Sequence, residues 1–298
     1  MLRVRWRAAE GRIIAGTNHA MKDTEQNANE QEALWNGVAG RGWVEAQELT
    51  DQLFKPIEDL LIEAVPAARG NLLDVGCGTG STMVAAIHRM GTQGRATGID
   101  ISEPMLAAAK IRAEREGVAA KFIRADVQNY AFEPASFDVI ISRFGVMFFD
   151  DPVRAFANLR DAAKSGGELR FVAWRTAAEN PFMTASERAA AAVIELPPRK
   201  ADGPGQFAFG DRTRVQEILE KSGWSDIDIR PVDVRCSMPE RQMTVYLSRL
   251  GAVGRVLQEA DEETRARVIG VVRPAFDSYV QGAEVRFTAA CWMAAARR

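Results

Sequence analysis

Two kinds of apolar pattern alternate along the chain. Short continuous runs at Leu72 to Val75, Ala96 to Asp100, Ala120 to Val127, Phe137 to Ser142 and Leu169 to Trp174 read as buried strands. Between them lie segments of helical period. One starts near Gly80. A second starts at Ser102, an N-cap with Pro104 in the first turn, and runs through Met105, Leu106 and Ile111 to Gly117. A third starts at Asp151-Pro152 and runs to Lys164, with Gly166-Gly167 leading into the next strand. Strand, helix, strand, helix from Leu72 to Trp174 predicts a parallel α/β sheet covered on both faces. Ahead of it, Val44 to Val65 reads as an amphipathic helix, preceded by a glycine-containing break between Trp35 and Trp43.

Beyond Trp174 the pattern is less regular. Asn180-Pro181 starts a helical run through Ile194, Pro197-Pro198 and Gly203-Pro204-Gly205 break it, and Asp211 caps a helix ending at Gly223. Ile227 to Val234 alternates like a strand, Thr244 to Ala275 reads as two helices, and Glu284 to Ala294 returns as a strand. At the other end, Met1 to Ala20 carries Arg3, Arg5, Arg7 and Arg12 against Glu10 alone, with no sustained apolar run. That is not a secretory signal; it reads as an upstream-extended start or a transit peptide, with Met21 the alternative beginning. Residues 1–30 are expected to form a disordered extension, and residues 31–298 one domain.

Composition narrows the function. The 298 residues are 47% hydrophobic and 26% charged, enough for a substantial core, and a formal net charge of -2 gives no cationic excess for a phosphate backbone. Nucleic acid is therefore not an expected partner, and no run is long and apolar enough to span a membrane. Cys77, Cys236 and Cys291 are odd in number and widely spaced, which suggests neither disulfides nor a zinc cluster. The expected setting is cytoplasmic, with no metal.

The chemistry centres on Asp74-Val75-Gly76-Cys77-Gly78-Thr79-Gly80, a strand running into a turn with glycines at alternate positions, where backbone can approach a ligand closely. A dinucleotide fingerprint would place its third glycine one residue later, where Ser81 stands, so nicotinamide binding is disfavoured. Asp100, ending the next strand, can accept hydrogen bonds from both hydroxyls of a ribose, or merely cap the following helix. An aspartate before a G-x-G-x-G turn, followed by an acid at the end of the second strand, resembles motif I and its sequel in the class I S-adenosylmethionine-dependent methyltransferases.

That resemblance implies a doubly wound, Rossmann-like, mostly parallel seven-stranded sheet with an antiparallel edge strand and helical insertions forming a substrate cap. It implies S-adenosyl-L-methionine as cofactor: Gly76, Gly78 and Gly80 at its methionine end, Asp100 at the ribose, and Ile101, Met105, Asp126 and Val127 at the adenine. Trp43, Asp74, Cys77 and Arg143 complete the expected cofactor set. An N-terminal lid is expected at about 34–65, carrying Trp35 and Trp43, and cap insertions at about 176–212 and 238–281. Ser142-Arg143-Phe144-Gly145 is not the Asp/Asn/Ser-Pro-Pro-aromatic tetrad of DNA and RNA amino-methyltransferases, so a small-molecule acceptor is favoured. Phe144, Met147, Trp174, Phe182, Phe207 and Phe209 are candidate walls of an apolar acceptor site at the sheet's carboxyl edge. Phe148 and Phe149 join them as apolar candidates, and Arg143 is expected to hold an acceptor carboxylate or brace a neighbouring acid.

No catalytic base is evident. His88 falls in the helix after the glycine turn, away from the expected methyl, and methyl transfer to an already nucleophilic atom needs little acid-base help. Two other readings remain open: a non-catalytic S-adenosylmethionine-binding regulator or chaperone on the same fold, and a different nucleotide-using α/β enzyme.

Overall fold

A computed structural model describes residues 30–66, 70–91, 94–197 and 203–298. The expected N-terminal extension lies outside the described residues, except for Glu30, and so do Met21 and the loop at 92–93. Strands β1 (Gly70–Val75), β2 (Gly94–Asp100), β3 (Ala120–Arg124), β4 (Phe137–Arg143), β5 (Ala163–Trp174), β6 (Ser225–Pro239), the short β7 (Val280–Gln281) and β8 (Glu284–Arg297) form one sheet. Its order is β3-β2-β1-β4-β5-β8-β6, with β7 paired to β8 off this path. The pairings from β3 to β5 are parallel, and β8 runs antiparallel to both β5 and β6. The reversed strand therefore sits one place in from the edge.

The central strands are apolar because both faces are covered. Leu72 and Leu73 of β1, Ile140 and Ile141 of β4, and Phe171 and Val172 of β5 are all fully buried. One covering helix, Gln47–Glu63, lays Leu49, Leu53, Phe54, Ile57 and Leu61 on the sheet at helical spacing. Leu53, Ile57 and Leu61 are 0% exposed, each contributing about 1.5–3 kcal/mol of transfer free energy.

The expected helix Val44 to Val65 is instead two helices, Val38–Glu45 and Gln47–Glu63, with residues 30–36 helical before them. Gly40 and Gly42, expected in a break, lie inside the first. A Cβ on Gly42 would come 2.4 Å from the carbonyl oxygen of Arg249, and one on Gly40 would come 2.9 Å from Ser102 Oγ. Close packing on both sides outweighs the propensity cost of about 1 kcal/mol per glycine. The β3 run ends at Arg124 rather than Val127, because Asp126 turns the chain by accepting from the Gln128 amide at 2.9 Å.

Among the described residues, the two segments expected as insertions pack on one another. Asn180 anchors the first to β8, its amide accepting from Ala290 N–H at 2.9 Å and donating to Ala290 C=O at 3.0 Å. The second holds three α-helices, Met243–Arg249, Gly251–Glu259 and Glu262–Val272, and a 3₁₀ segment Arg273–Tyr279. The two helices expected there are divided further by Gly251 at φ +69° and by Asp261, which caps by accepting from Thr264 N–H. Phe182 of the first insertion stacks on Phe287 of β8 with centroids 3.9 Å apart and packs edge-on against Phe276 and Tyr279 of the second. Among the described residues, no helix is long and apolar enough to cross a membrane.

Candidate active site

A cleft of about 1130 Å³, partly open to solvent, lies at the carboxyl ends of β1, β2 and β4. Its floor is the glycine turn. Gly76, Gly78 and Gly80 have φ of +65°, +55° and +83°, backbone that side chains with a Cβ rarely adopt. A Cβ on Gly76 would stand 2.7 Å from Gly145 Cα, so two backbones touch there. Gly76 and Cys77 both donate to Ile99 C=O, which fastens the turn to β2. Gly76, Cys77 and Gly78 line the cleft, whereas Gly80 does not; its missing Cβ lets the following helix approach Ala109. The absence of a Cβ at Gly80 thus serves helix packing.

Two carboxylates face this turn. Asp100 accepts from Gly78 N–H and Ser102 N–H, one on each oxygen at 2.8 Å, which fixes its plane and leaves lone pairs free on both oxygens. Burial raises its carboxyl above the usual range while these amides, and that of Ile101, pull it back. Asp74, 1% exposed, has a buried Oδ2 with no hydrogen-bond partner, and it lines the cleft. Burial pushes its carboxyl up to about 8; the Arg143 guanidinium opposes this and the charges of Asp100 and Glu58 add to it. The Cys77 thiol is held well above its ordinary value by burial and by both aspartates, which disfavours its thiolate.

Arg143, at the end of β4, lines the cleft but is committed, reaching Glu58 Oε2 at 3.4 Å and Ser81 Oγ at 3.0 Å. It therefore braces a neighbouring acid, the second of its two expected roles. Ile101, Met105, Asp126 and Val127 also line the cleft. Asp126 caps its own turn as well, accepting from Gln128 and Asn129 side chains.

The roof comes from the N-terminal helices. Asn36 donates to Ile101 C=O at 3.1 Å and accepts from Glu103 N–H at 2.8 Å, and Ser102 Oγ donates to Trp35 C=O at 2.6 Å. Trp35 meets Phe148 edge-on at 5.0 Å. Trp43 stacks on Phe54, Phe54 meets Phe144 edge-on, and Phe144 stacks on Trp174 at 4.6 Å and 7°. Phe144 holds φ +69°, a strained conformation for a bulky residue costing about 1–3 kcal/mol, which aims Gly145 at Gly76.

Of the expected apolar acceptor residues, Phe144, Phe148 and Phe149 line the cleft, whereas Met147, Trp174, Phe182, Phe207 and Phe209 do not. Trp174 is buried behind Phe144, and Met147 is buried with its Sδ accepting from Trp174 N–H. Phe182 belongs to the core of the insertions, Phe209 packs on Phe156 and Phe171 within the main core, and half-buried Phe207 packs against that core. These aromatics follow the sheet's edge in sequence, but the chain folds them away from the cleft into apolar contacts. Gln31, Thr50, Phe54, Thr82, Gln128 and Asp150 line the cleft without having been anticipated. Phe54 and Glu58 were legible only as positions on the apolar stripe of Gln47–Glu63, where an acid is out of pattern. His88 is exposed and outside the cleft, and no group of metal-binding side chains occurs among the described residues.

The geometry fits the implied cofactor. An unpartnered buried carboxylate oxygen suits a cationic amino group, a backbone turn without Cβ atoms admits a close ligand, and Asp100 keeps free lone pairs for a ribose. Comparison with known proteins agrees. Residues 72–167 match the family described as "Methyltransferase domain". The nocamycin O-methyltransferase of Saccharothrix syringae is 27% identical over 65% of this chain and 73% of its own length. The ubiquinone biosynthesis O-methyltransferase of Pseudoalteromonas translucida is 31% identical over 49% of this chain and 63% of its own. The chain thus spans less than two thirds of the latter. The fold matches phosphoethanolamine N-methyltransferase 2 of Haemonchus contortus, solved with S-adenosylhomocysteine, with a TM-score of 0.51 and 20% identity over 81% of this chain and 52% of that one.

Proposed function

We propose that this chain is a class I S-adenosylmethionine-dependent methyltransferase that methylates a small, apolar or aromatic acceptor within the cleft roofed by its N-terminal helices. The donor supplies an electrophilic methyl group on a sulfonium. In this reading Asp74 takes the donor's amino group on its unpartnered Oδ2, the Gly76-Cys77-Gly78 backbone follows its methionine end, and Asp100 takes the ribose hydroxyls. Ile101 and Met105 flank the adenine, with Asp126 and Val127 at its polar edge. Trp43, Phe54 and Phe144 offer the acceptor an apolar wall and exclude water from the reacting atoms.

The carrying observation is the pairing of Asp74 and Asp100 across the glycine turn in one cleft. Among the described residues lining the cleft the cation is Arg143, which Glu58 and Ser81 hold, so the acceptor is read as neutral rather than anionic, and catalysis as alignment rather than proton transfer. Curated relatives named as O-methyltransferases support a hydroxyl acceptor. Three free, buried cysteines agree with a reducing cytoplasmic setting. Residues of about 34–65 act as lid and the two insertions as cap in this account. Native mass spectrometry of the purified protein, then turnover of tritiated donor against a panel of phenols and hydroxylated polyketides, tests it. Co-purified donor or its demethylated product and label in one acceptor class are expected; absence of both refutes the reading.

A further inference from the structure

We propose that Glu58 is the positioning residue that holds the Arg143 guanidinium off Asp74, and so keeps the Asp74 carboxylate open to the cationic end of the donor. The inference rests on the donor reading above and adds to it a residue outside the expected motifs.

Asp74 pairs in register with Ile141 on β4, and Arg143 follows two residues later, so its side chain leaves the same face of the sheet. Both side chains line the cleft, and the Arg143 guanidinium pulls the Asp74 carboxyl down against the effect of burial, so the two interact without sharing a hydrogen bond. Yet Arg143 directs one nitrogen to Glu58 Oε2 at 3.4 Å and another to Ser81 Oγ at 3.0 Å, and Asp74 Oδ2 is left with no partner. Glu58 is 5% exposed and projects from the apolar stripe of helix Gln47–Glu63, where a carboxylate is costly to bury without a cation. Its other cation, Lys55 Nζ at 3.6 Å, belongs to a side chain more than half exposed. Arg143, with a side chain 13% exposed, is its buried counterion.

Removing the Glu58 charge leaves the guanidinium with one fixed partner, Ser81, in a cleft whose other lining includes the unpartnered carboxyl group of Asp74. A guanidinium on Asp74 fills the position meant for the donor's amino group and repels its sulfonium. Glu58 therefore acts on donor binding only through Arg143, and the two substitutions cannot be additive.

Calorimetric titration with S-adenosylhomocysteine tests this on the full chain. Glu58→Gln is expected to weaken binding about tenfold or more, and Glu58→Gln with Arg143→Met to recover to within about threefold of wild type. Glu58→Asp, which keeps the carboxylate, is expected to stay near wild type. A folded Glu58→Gln that binds as wild type, or a double variant as weak as Glu58→Gln alone, overturns the proposal. If Glu58→Gln alone does not fold, the folded double variant decides: affinity near wild type supports the proposal and a tenfold loss overturns it. A wild-type chain with no affinity for S-adenosylhomocysteine would instead defeat the donor reading itself.

Discussion

Replacing Asp100 by Asn tests the proposed ribose contact, because the side chain keeps its size while one carboxylate oxygen becomes an N–H donor. In the native turn both oxygens already accept a backbone N–H at 2.8 Å, from Gly78 and Ser102. The amide can satisfy at most one of these; its NH₂ faces the other N–H, and it is poorly placed to accept from a ribose hydroxyl. Each charge-assisted bond lost is worth about 1.5–3 kcal/mol. Loss of one or both therefore predicts a donor Kd raised about 10-fold to more than 100-fold. Titration calorimetry with S-adenosylhomocysteine at pH 7.5, beside a melting curve, separates binding from folding. Asp100→Ala removes both turn anchors as well and is expected to lower the melting temperature further than Asn. If folded Asp100→Asn binds within about threefold of wild type, the ribose assignment fails.

Gly76→Ala is expected to destabilise the fold by about 2 kcal/mol or more and to abolish donor binding, since φ is +65° and a Cβ would come 2.7 Å from Gly145; an unchanged melting temperature would contradict this. Asp74 carries a pH signature. Its folded value near 8 lies above the ordinary 3.8, so the folded state keeps a proton that the unfolded chain releases. Its contribution to stability is complete below about pH 4 and lost as pH rises through about 8, at up to about 1.4 kcal/mol per pH unit. Without donor, the melting temperature of Asp74→Asn should gain on wild type between pH 5 and pH 9, and a constant difference would refute the assignment. Phe182→Ala should cost about 3–5 kcal/mol of stability in the core of the insertions with little direct effect on donor affinity, whereas Phe144→Ala should impair turnover at the cleft; the reverse pattern in melting and kinetic assays would reassign both.

The sheet was legible because its strands are buried on both faces and write themselves as continuous apolar runs separated by caps and glycines. The glycine turn, Asp100 and its neighbours Ile101 and Met105 were legible for a related reason: one local motif fixes the backbone on which they lie. Most of the acceptor wall was not. Phe182, Phe207 and Phe209 follow the sheet's carboxyl edge in sequence, but whether an aromatic enters a cleft or a core depends on contacts with distant segments such as Phe287 and Phe156. Gly40 and Gly42 misled in the same way, since their role is set by backbone arriving from Arg249 and by the Ser102 side chain. Glu58 left a trace, a charge on an apolar stripe, but its partner Arg143 lies 85 residues away.

A crystal structure with S-adenosylhomocysteine bound tests the central claim most directly. The account predicts the ligand's amino group on Asp74 Oδ2, its ribose hydroxyls on Asp100, its adenine between Ile101, Met105 and Val127, and its sulfur facing Phe144 with Arg143 still held by Glu58. A ligand bound outside this cleft, or bound there with its ribose away from Asp100, would contradict it.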